Sequence, residues 1–295
     1  MASKMIALLL SVVALISSMI NADKSAGAKI YSDISYGKHE NQTLDLALPE
    51  KNGGEAGLLL MLHGGSWFSG DKNYYSKYLK EGPSRYGIAC ATMNYRFLGD
   101  ASMFDMLDDI TSAMKKIKSY SLKKGVKITR VMLLGYSAGA HLALLYSYTR
   151  AAKSPLEIVS VASFSGPTDF TDDKFIKANK YAQYFEMKDL ATIAVGYEVT
   201  EKTLKKAAKS ISPAFQVKKT SVPTLVCHGK KDGTVPYSNA KTLVSALESN
   251  KVPYVFVPFK NSGHDLSAEA DKKTADNADR ATRLFIANYL LKGKV

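Results

Sequence analysis

Cysteine is nearly absent from this 295-residue chain, with Cys90 and Cys227 the two examples. Each sits in an apolar, strand-like run, Ile88-Ala89-Cys90-Ala91 and Leu225-Val226-Cys227. At this length a chain can bury a sizeable core without covalent staples. One bridge is open to an exported protein, but buried strand thiols usually lie too far apart to join, so free, inert thiols are expected. No Cys/His spacing of the metal-binding kind occurs, and neither internal repeats nor low-complexity segments are present. The net charge of +13 is not gathered beside aromatics but spread over short patches such as Lys115-Lys116, Lys205-Lys206 and Lys218-Lys219. That spread excludes a nucleic-acid interface and leaves a solvated basic surface with weak attraction for acidic polymers or anionic membranes. The apolar segment from Met5 to Ile20 is short for a bilayer span, which needs about 20 residues. No cysteine follows it, which argues against a lipid anchor. One positive charge before it and polar residues from Asn21 onward match a secretory signal peptide instead. Residues 1–22 are therefore set aside, with cleavage after Ala22 or as late as Ala28, and a secreted or periplasmic protein without a stable span is expected.

Behind this leader, short apolar runs alternate with amphipathic stretches. Strands are expected at 29–35, 43–48, 58–62, 88–95, 130–134, 158–164, 221–228 and 254–257, with helices over 103–120, 237–247 and about 270–291. Such alternation predicts an α/β fold, a mostly parallel sheet covered by helices on both faces. Residues 167–213 interrupt the pattern, being helical and aromatic without a clear strand. They read as a cap inserted into a single domain over 29–295, with Phe170, Phe175, Tyr181, Tyr184, Phe185 and Tyr197 available for packing or for lining a pocket.

The run Val131-Met132-Leu133-Leu134 leads straight into Gly135-Tyr136-Ser137-Ala138-Gly139 and then into a small-residue helix. Strand, Gly-x-Ser-x-Gly and helix in succession describe a nucleophile elbow, in which a strained turn lifts the serine hydroxyl clear of the sheet. A serine needs a base, itself oriented by a carboxylate. Of the five histidines, His39 lies in an early turn, while His63 and His228 end strands beside glycines. His141 sits one helical turn beyond Ser137. His264 occupies a loop after the last strand, from which an imidazole can reach over the sheet edge. The acid is expected between serine and histidine in sequence. Asp232, directly after a strand, is preferred to Asp169, which suits a turn or cap, and to Asp265 beside the histidine. For the developing oxyanion, His63-Gly64-Gly65-Ser66-Trp67 offers the amides of Gly65 and Ser66, to be joined by that of Ala138. Trp67 would form a pocket wall or cover that loop.

These motifs, with Asn94-Tyr95-Arg96, Ser212-Pro213 and Val235-Pro236, resemble α/β-hydrolase esterases of the hormone-sensitive-lipase-like group. They are similar to bacterial acyl and feruloyl esterase-like proteins and to kynurenine formamidases. The resemblance covers about 30–290 and departs from many members at Ser66, where a third glycine is common. It implies an α/β-hydrolase fold, the triad Ser137, Asp232 and His264, no metal and no cofactor, and a structural ion pair between Arg96 and Asp109. It also implies a carboxylic-ester substrate and so, with the leader, a secreted serine carboxylesterase acting on a small-molecule or polysaccharide-linked ester. The cap's aromatics suit a plant-phenolic acyl group, and acylated carbohydrate is the analogy for an exported esterase. An amidase or formamidase of the same fold, or an inactive hydrolase fold serving as a binding module, are the alternatives. Oligomeric state is not legible.

Overall fold

The apolar runs of the sequence become the strands of one eight-stranded sheet in a computed structural model that describes residues 28–50, 54–178 and 186–291. The expected signal peptide, along with Tyr181, Tyr184 and Phe185, lies outside the described residues. In chain order the strands are β1 (Ala28–Ser35), β2 (Thr43–Pro49), β3 (Gly54–Leu62), β4 (Ala89–Met93), β5 (Val126–Tyr136), β6 (Glu157–Phe164), β7 (Thr224–Gly229) and β8 (Tyr254–Phe259). Their spatial order is β1-β2-β4-β3-β5-β6-β7-β8. The first three in that order pair antiparallel, and every pairing from β4 onward is parallel.

Continuous apolarity in the central strands follows from burial on both faces. Leu58, Leu60 and Leu62 join the core cluster on one face, while Leu59 and Met61 join the cluster on the other. Helices close both sides: α1 (Ser76–Tyr86), α2 (Met103–Lys123), α3 (Ala138–Thr149), α7 (Tyr237–Ser249) and α8 (Lys272–Phe285). Three more, α4 (Asp173–Ala178), α5 (Met187–Val195) and α6 (Glu201–Ser210), fall between β6 and β7, in the stretch read as helical and strandless. The last helix starts two residues after Ala270 and ends in a π-turn over Ile286–Leu290.

Helix α1 is absent from the sequence expectation because Gly82 and Pro83, ordinarily helix breakers, lie inside it. Tertiary packing explains the glycine: a Cβ at residue 82 would come 2.4 Å from Sγ of Cys90 on β4. Cys90 and Cys227 are free and buried, and burial pushes the Cys90 thiol up to about 12, so both behave as small apolar side chains.

The Arg96–Asp109 pair is present. Asp109 is 1% exposed and accepts from the Arg96 guanidinium at 2.7 Å, the Arg96 amide at 3.0 Å and Gln42 Nε2 at 2.7 Å. It thereby ties α2 to the loop after β4 and to the β1–β2 turn. Removing one partner of such a pair strands the other. Asp109→Ala is expected to lower unfolding stability by about 3 kcal/mol, read as a lower urea midpoint at unchanged slope.

Candidate active site

Parallel strands place their carboxyl ends along one edge, and the sequence-predicted residues sit there. His63-Gly64-Gly65 follows β3, Ser137 follows β5, Asp232 follows β7 and His264 follows β8. Ser137 joins β5 to α3 with φ 53° and ψ −121°, a backbone conformation costly for a residue with a Cβ. Its amide donates to the Phe164 carbonyl at 2.8 Å, and its carbonyl receives the His141 amide at 3.0 Å. The flanking glycines are required by proximity. A Cβ at Gly135 would fall 2.3 Å from the Gly139 backbone, and one at Gly139 would fall 2.1 Å from the Leu62 carbonyl oxygen. The turn is thus wedged between strand β3 and its own helix.

His264 Nε2 lies 2.9 Å from Ser137 Oγ, and His264 Nδ1 lies 2.8 Å from Asp232 Oδ2. A carboxylate only accepts, so Nδ1 carries the hydrogen and Nε2 faces the hydroxyl with its lone pair. Asp232 Oδ1 accepts the amides of Thr234 at 2.9 Å and Val235 at 2.8 Å. His228 Nε2, whose two neighbours are both acceptors, donates to the Val235 carbonyl at 2.8 Å and lies 3.3 Å from Asp232 Oδ2. Burial works to raise the Asp232 pKa, but donors from His228, His264 and Val235 outweigh it and hold the carboxyl well below the usual carboxylate range. Asp169 does not join this chain: it closes a local turn by accepting from the Thr171 amide and hydroxyl. Asp265 is exposed.

The loop after β3 carries three successive residues at positive φ: Gly65 at 123°, Ser66 at 54° and Trp67 at 64°. The Gly65 carbonyl turns inward to accept from the amides of Phe68 and Ser69, each at 3.1 Å. Across a trans peptide the Ser66 N–H must point the opposite way, out of the turn. By the same reasoning the Gly64 carbonyl, accepting from His63 Nδ1 at 2.7 Å, turns the Gly65 N–H away from it. Ala138 is the first residue of α3, where an N–H has no partner within the helix. Ser66 and Ser137 border one cleft of about 660 Å³, walled by Trp67, Phe170, Phe175, Met187, Leu190 and Leu204. Trp67, Phe170 and Phe175 therefore meet the expectation of pocket aromatics. Tyr197 does not border the cleft and is half exposed.

Several residues that support the site are missing from the sequence reading. The His264 carbonyl accepts from Ser165 Oγ at 2.9 Å and from Tyr136 Oη at 3.2 Å, which pins the histidine loop to the ends of β6 and β5. Asp271 anchors the same loop by accepting the amides of Asn261 at 2.7 Å and Ser262 at 2.8 Å. Tyr136 sits inside the elbow motif, and its position next to Ser137 is the available signal. Ser165 and Asp271 had none. His63 braces its loop, as its place beside glycines suggested, and stacks on Tyr95 with ring centroids 4.5 Å apart.

His141 is fully buried rather than merely aligned with its helix. The Trp67 indole donates to its Nδ1 at 3.1 Å, so its own hydrogen is on Nε2 and goes to the Ile211 carbonyl at 2.7 Å. One imidazole thus connects the glycine loop, the elbow helix and the end of the inserted helical stretch. Burial is the main cause of its lowered pKa, to about 4, despite the opposing hydrogen bond at Ile211.

An antiparallel start, six strands in parallel pairing and a serine elbow after the fifth strand in the chain define an α/β-hydrolase. The BD-FAE family model matches residues 44–247, and the chain belongs to that family of α/β-hydrolase esterases. Among curated relatives, isoprenylcysteine alpha-carbonyl methylesterase of Arabidopsis thaliana is 26% identical over 80% of this chain and 56% of its own length. A probable carboxylic ester hydrolase, LipM, of Mycobacterium tuberculosis is 25% identical over 81% of this chain and 57% of its own. This chain spans little more than half the length of those relatives. Among solved structures, a truncated carbohydrate esterase from gut microbiota superposes with TM-score 0.71 at 18% identity, covering 88% of this chain and 97% of that one. Esterase B from Lactobacillus Rhamnosis gives a TM-score of 0.68 at 20% identity, covering 97% of this chain and 96% of that one.

The His141 linkage has a measurable consequence. Its folded pKa lies below the unfolded value of 6.5, so the unfolded chain takes up a proton that the folded chain refuses. Stability is fully present above pH 6.5 and declines as pH falls toward about 4, by about 3 kcal/mol across that window. In His141→Gln, urea midpoints measured between pH 7 and 4 are expected to lose most of that slope.

Proposed function

We propose that this protein is a secreted serine carboxylesterase that cleaves carboxylic esters through an acyl-enzyme. The observation that carries the reading is the unbroken chain from Asp232 through His264 to Ser137, opening on an apolar cleft. The relatives' activities, carboxylic ester hydrolase and methylesterase, agree with it in reaction type. Ser137 Oγ attacks the ester carbonyl carbon while its proton passes to His264 Nε2. Asp232 fixes the imidazole tautomer and stabilises the cation that forms. The amides of Gly65, Ser66 and Ala138 receive the negative charge on the carbonyl oxygen, each contributing about 3 kcal/mol to the transition state. The C–O bond to the alcohol then breaks and His264 returns the proton to the departing oxygen. Water then loses a proton to His264 as its oxygen attacks the acyl carbon, and the bond from that carbon to Ser137 Oγ breaks as His264 returns the proton to Oγ, releasing the acid. No step calls for a metal or cofactor.

Residues 1–22 act as the signal peptide and 29–295 as one hydrolase domain, with 167–213 as its cap. Those assignments rest on the leader's charge and hydropathy pattern and on the helices α4 to α6 beside the cleft. Acylated carbohydrate or plant-phenolic esters suit the aromatic walls of that cleft.

Ser137→Ala is expected to lower kcat for a short-chain ester by roughly a million-fold and to abolish labelling by a fluorophosphonate, with the melting temperature close to that of the parent. Near-normal turnover in that variant would sink the assignment. Asp232→Asn, whose amide NH2 in the place of Oδ2 donates to His264 Nδ1 and so favours the wrong tautomer, should lower kcat by about ten-thousand-fold at neutral pH. An amidase would instead show higher kcat/KM on an anilide than on the matching aryl ester.

A further inference from the structure

Between residues 202 and 219 the chain carries six lysines and no acid. Lys202, Lys205, Lys206 and Lys209 fall on α6 at the i, i+3, i+4, i+7 spacing that puts side chains on one helix face. All four are exposed, whereas Ala207 on the other side is buried and Leu204 and Ala208 border the cleft. None of the four ammonium groups forms an ion pair among the described residues. The neighbouring acids Glu186, Asp189 and Glu201 act instead on Lys188. At the end of the row, Lys209 Nζ lies 5.1 Å from the centroid of the Phe215 ring. The Lys209 carbonyl accepts from Gln216 Nε2 at 2.9 Å, which holds the turn bearing Phe215 against the helix. Lys218 and Lys219 follow, both exposed. Phe215 is 44% exposed, and Ile193, which borders the cleft together with Lys205, is 36% exposed. Neither Phe215 nor Ile193 belongs to a core cluster.

Scattered surface lysines and single exposed apolar residues are ordinary and need no partner. This face differs because its charges share one sign, lack ion pairs and stand beside exposed apolar side chains. An acidic polymer would answer the charge alone and leave Phe215 and Ile193 in water. A bilayer surface answers both: lysines meet anionic head groups, and apolar side chains enter the boundary with the acyl chains. Lysine suits that boundary in detail, since its methylene stem can lie in the apolar layer while the ammonium stays among the phosphates. We propose that this face of the inserted helical stretch docks on an anionic phospholipid surface. Because Lys205 and Ile193 also border the cleft, docking turns the mouth of the cleft toward the lipid. Attachment of this kind uses no residue of the hydrolytic machinery and stands apart from the esterase reading.

Co-sedimentation of the mature protein with vesicles tests the docking. Phosphatidylcholine vesicles containing about a third phosphatidylglycerol are expected to bind it, and vesicles of phosphatidylcholine alone to bind at least about tenfold more weakly. High salt should release most of the bound protein, because exposed charges are screened. Lys202→Glu/Lys206→Glu is expected to lower the partition coefficient by about thirtyfold. Lys202→Gln/Lys206→Gln, which adds no negative charge, should give a smaller loss in the same direction. The charge-matched pair Lys123→Glu/Lys127→Glu lies at the end of α2 and the start of β5, away from the edge that carries Ser137, and should lose far less. Phe215→Ala should weaken binding several-fold and Phe215→Trp should restore it. Equal losses in the two charge-reversed pairs would mean that net charge alone attracts the protein, which overturns the assignment of this face. Retention by polygalacturonate without binding to anionic vesicles would give the lysines to an acidic polymer and overturn the lipid. Unchanged hydrolysis of a soluble short-chain ester in Lys202→Glu/Lys206→Glu shows that the variant is folded. Failure of the esterase reading looks different: no ester would be cleaved and no fluorophosphonate adduct would form, while vesicle binding would persist.

Discussion

The backbone of Ser137, held at φ 53° and ψ −121°, is the constraint on which the rest of the site depends. It persists because the surroundings over-determine it. The Gly139 backbone comes so near the Leu62 carbonyl that no side chain fits between, and the Ser137 amide is tied to Phe164 on the neighbouring strand. Three strands, β3, β5 and β6, therefore fix one hydroxyl. Local strain of this kind costs on the order of 1–3 kcal/mol and is sustained by a core buried on both faces of the sheet. The return is a hydroxyl that stands above the sheet edge with the first amide of α3 beside it.

Opposite that rigid point lies a loop, and the structure treats it with comparable care. The His264 carbonyl is held by side chains from the ends of β5 and β6, and Asp271 gathers the amides that precede it. Asp232 is likewise saturated, with two amides and two imidazoles around it. A carboxylate so supplied with donors stays ionised, and an ionised carboxylate dictates which imidazole nitrogen carries the hydrogen. Positioning and protonation state are thus set by the same contacts. His141 plays a related part within the scaffold, where its neutral form relays Trp67 to Ile211.

Much of this was legible in the chain. Apolar continuity marked the central strands because parallel strands are covered on both faces, and spacing marked α2 and α7 because their buried stripes repeat helically. The elbow was legible because its glycines are dictated by contacts only a few residues away. Arg96 and Asp109 were legible through resemblance, not spacing. What failed to show was local sequence overruled by distant contacts. Gly82 and Pro83 conceal a helix whose glycine exists to accommodate Cys90, and Ser165 gives no hint that it will hold a carbonyl 99 residues away.

The sequence by itself determined the order of the strands, the helices with a clear apolar stripe, the strained serine turn and the serine, histidine and carboxylate residue types at the strand ends. These depend on periodicity, on glycine and on short-range sterics, all of which act within a few residues. Only the tertiary structure decided which donors saturate Asp232, how Ser66 and Gly65 aim their amides, and that Tyr136 and Ser165 hold the His264 carbonyl. Those outcomes depend on strand order and on loops crossing a common sheet edge, and residue identity along the chain carries no record of either.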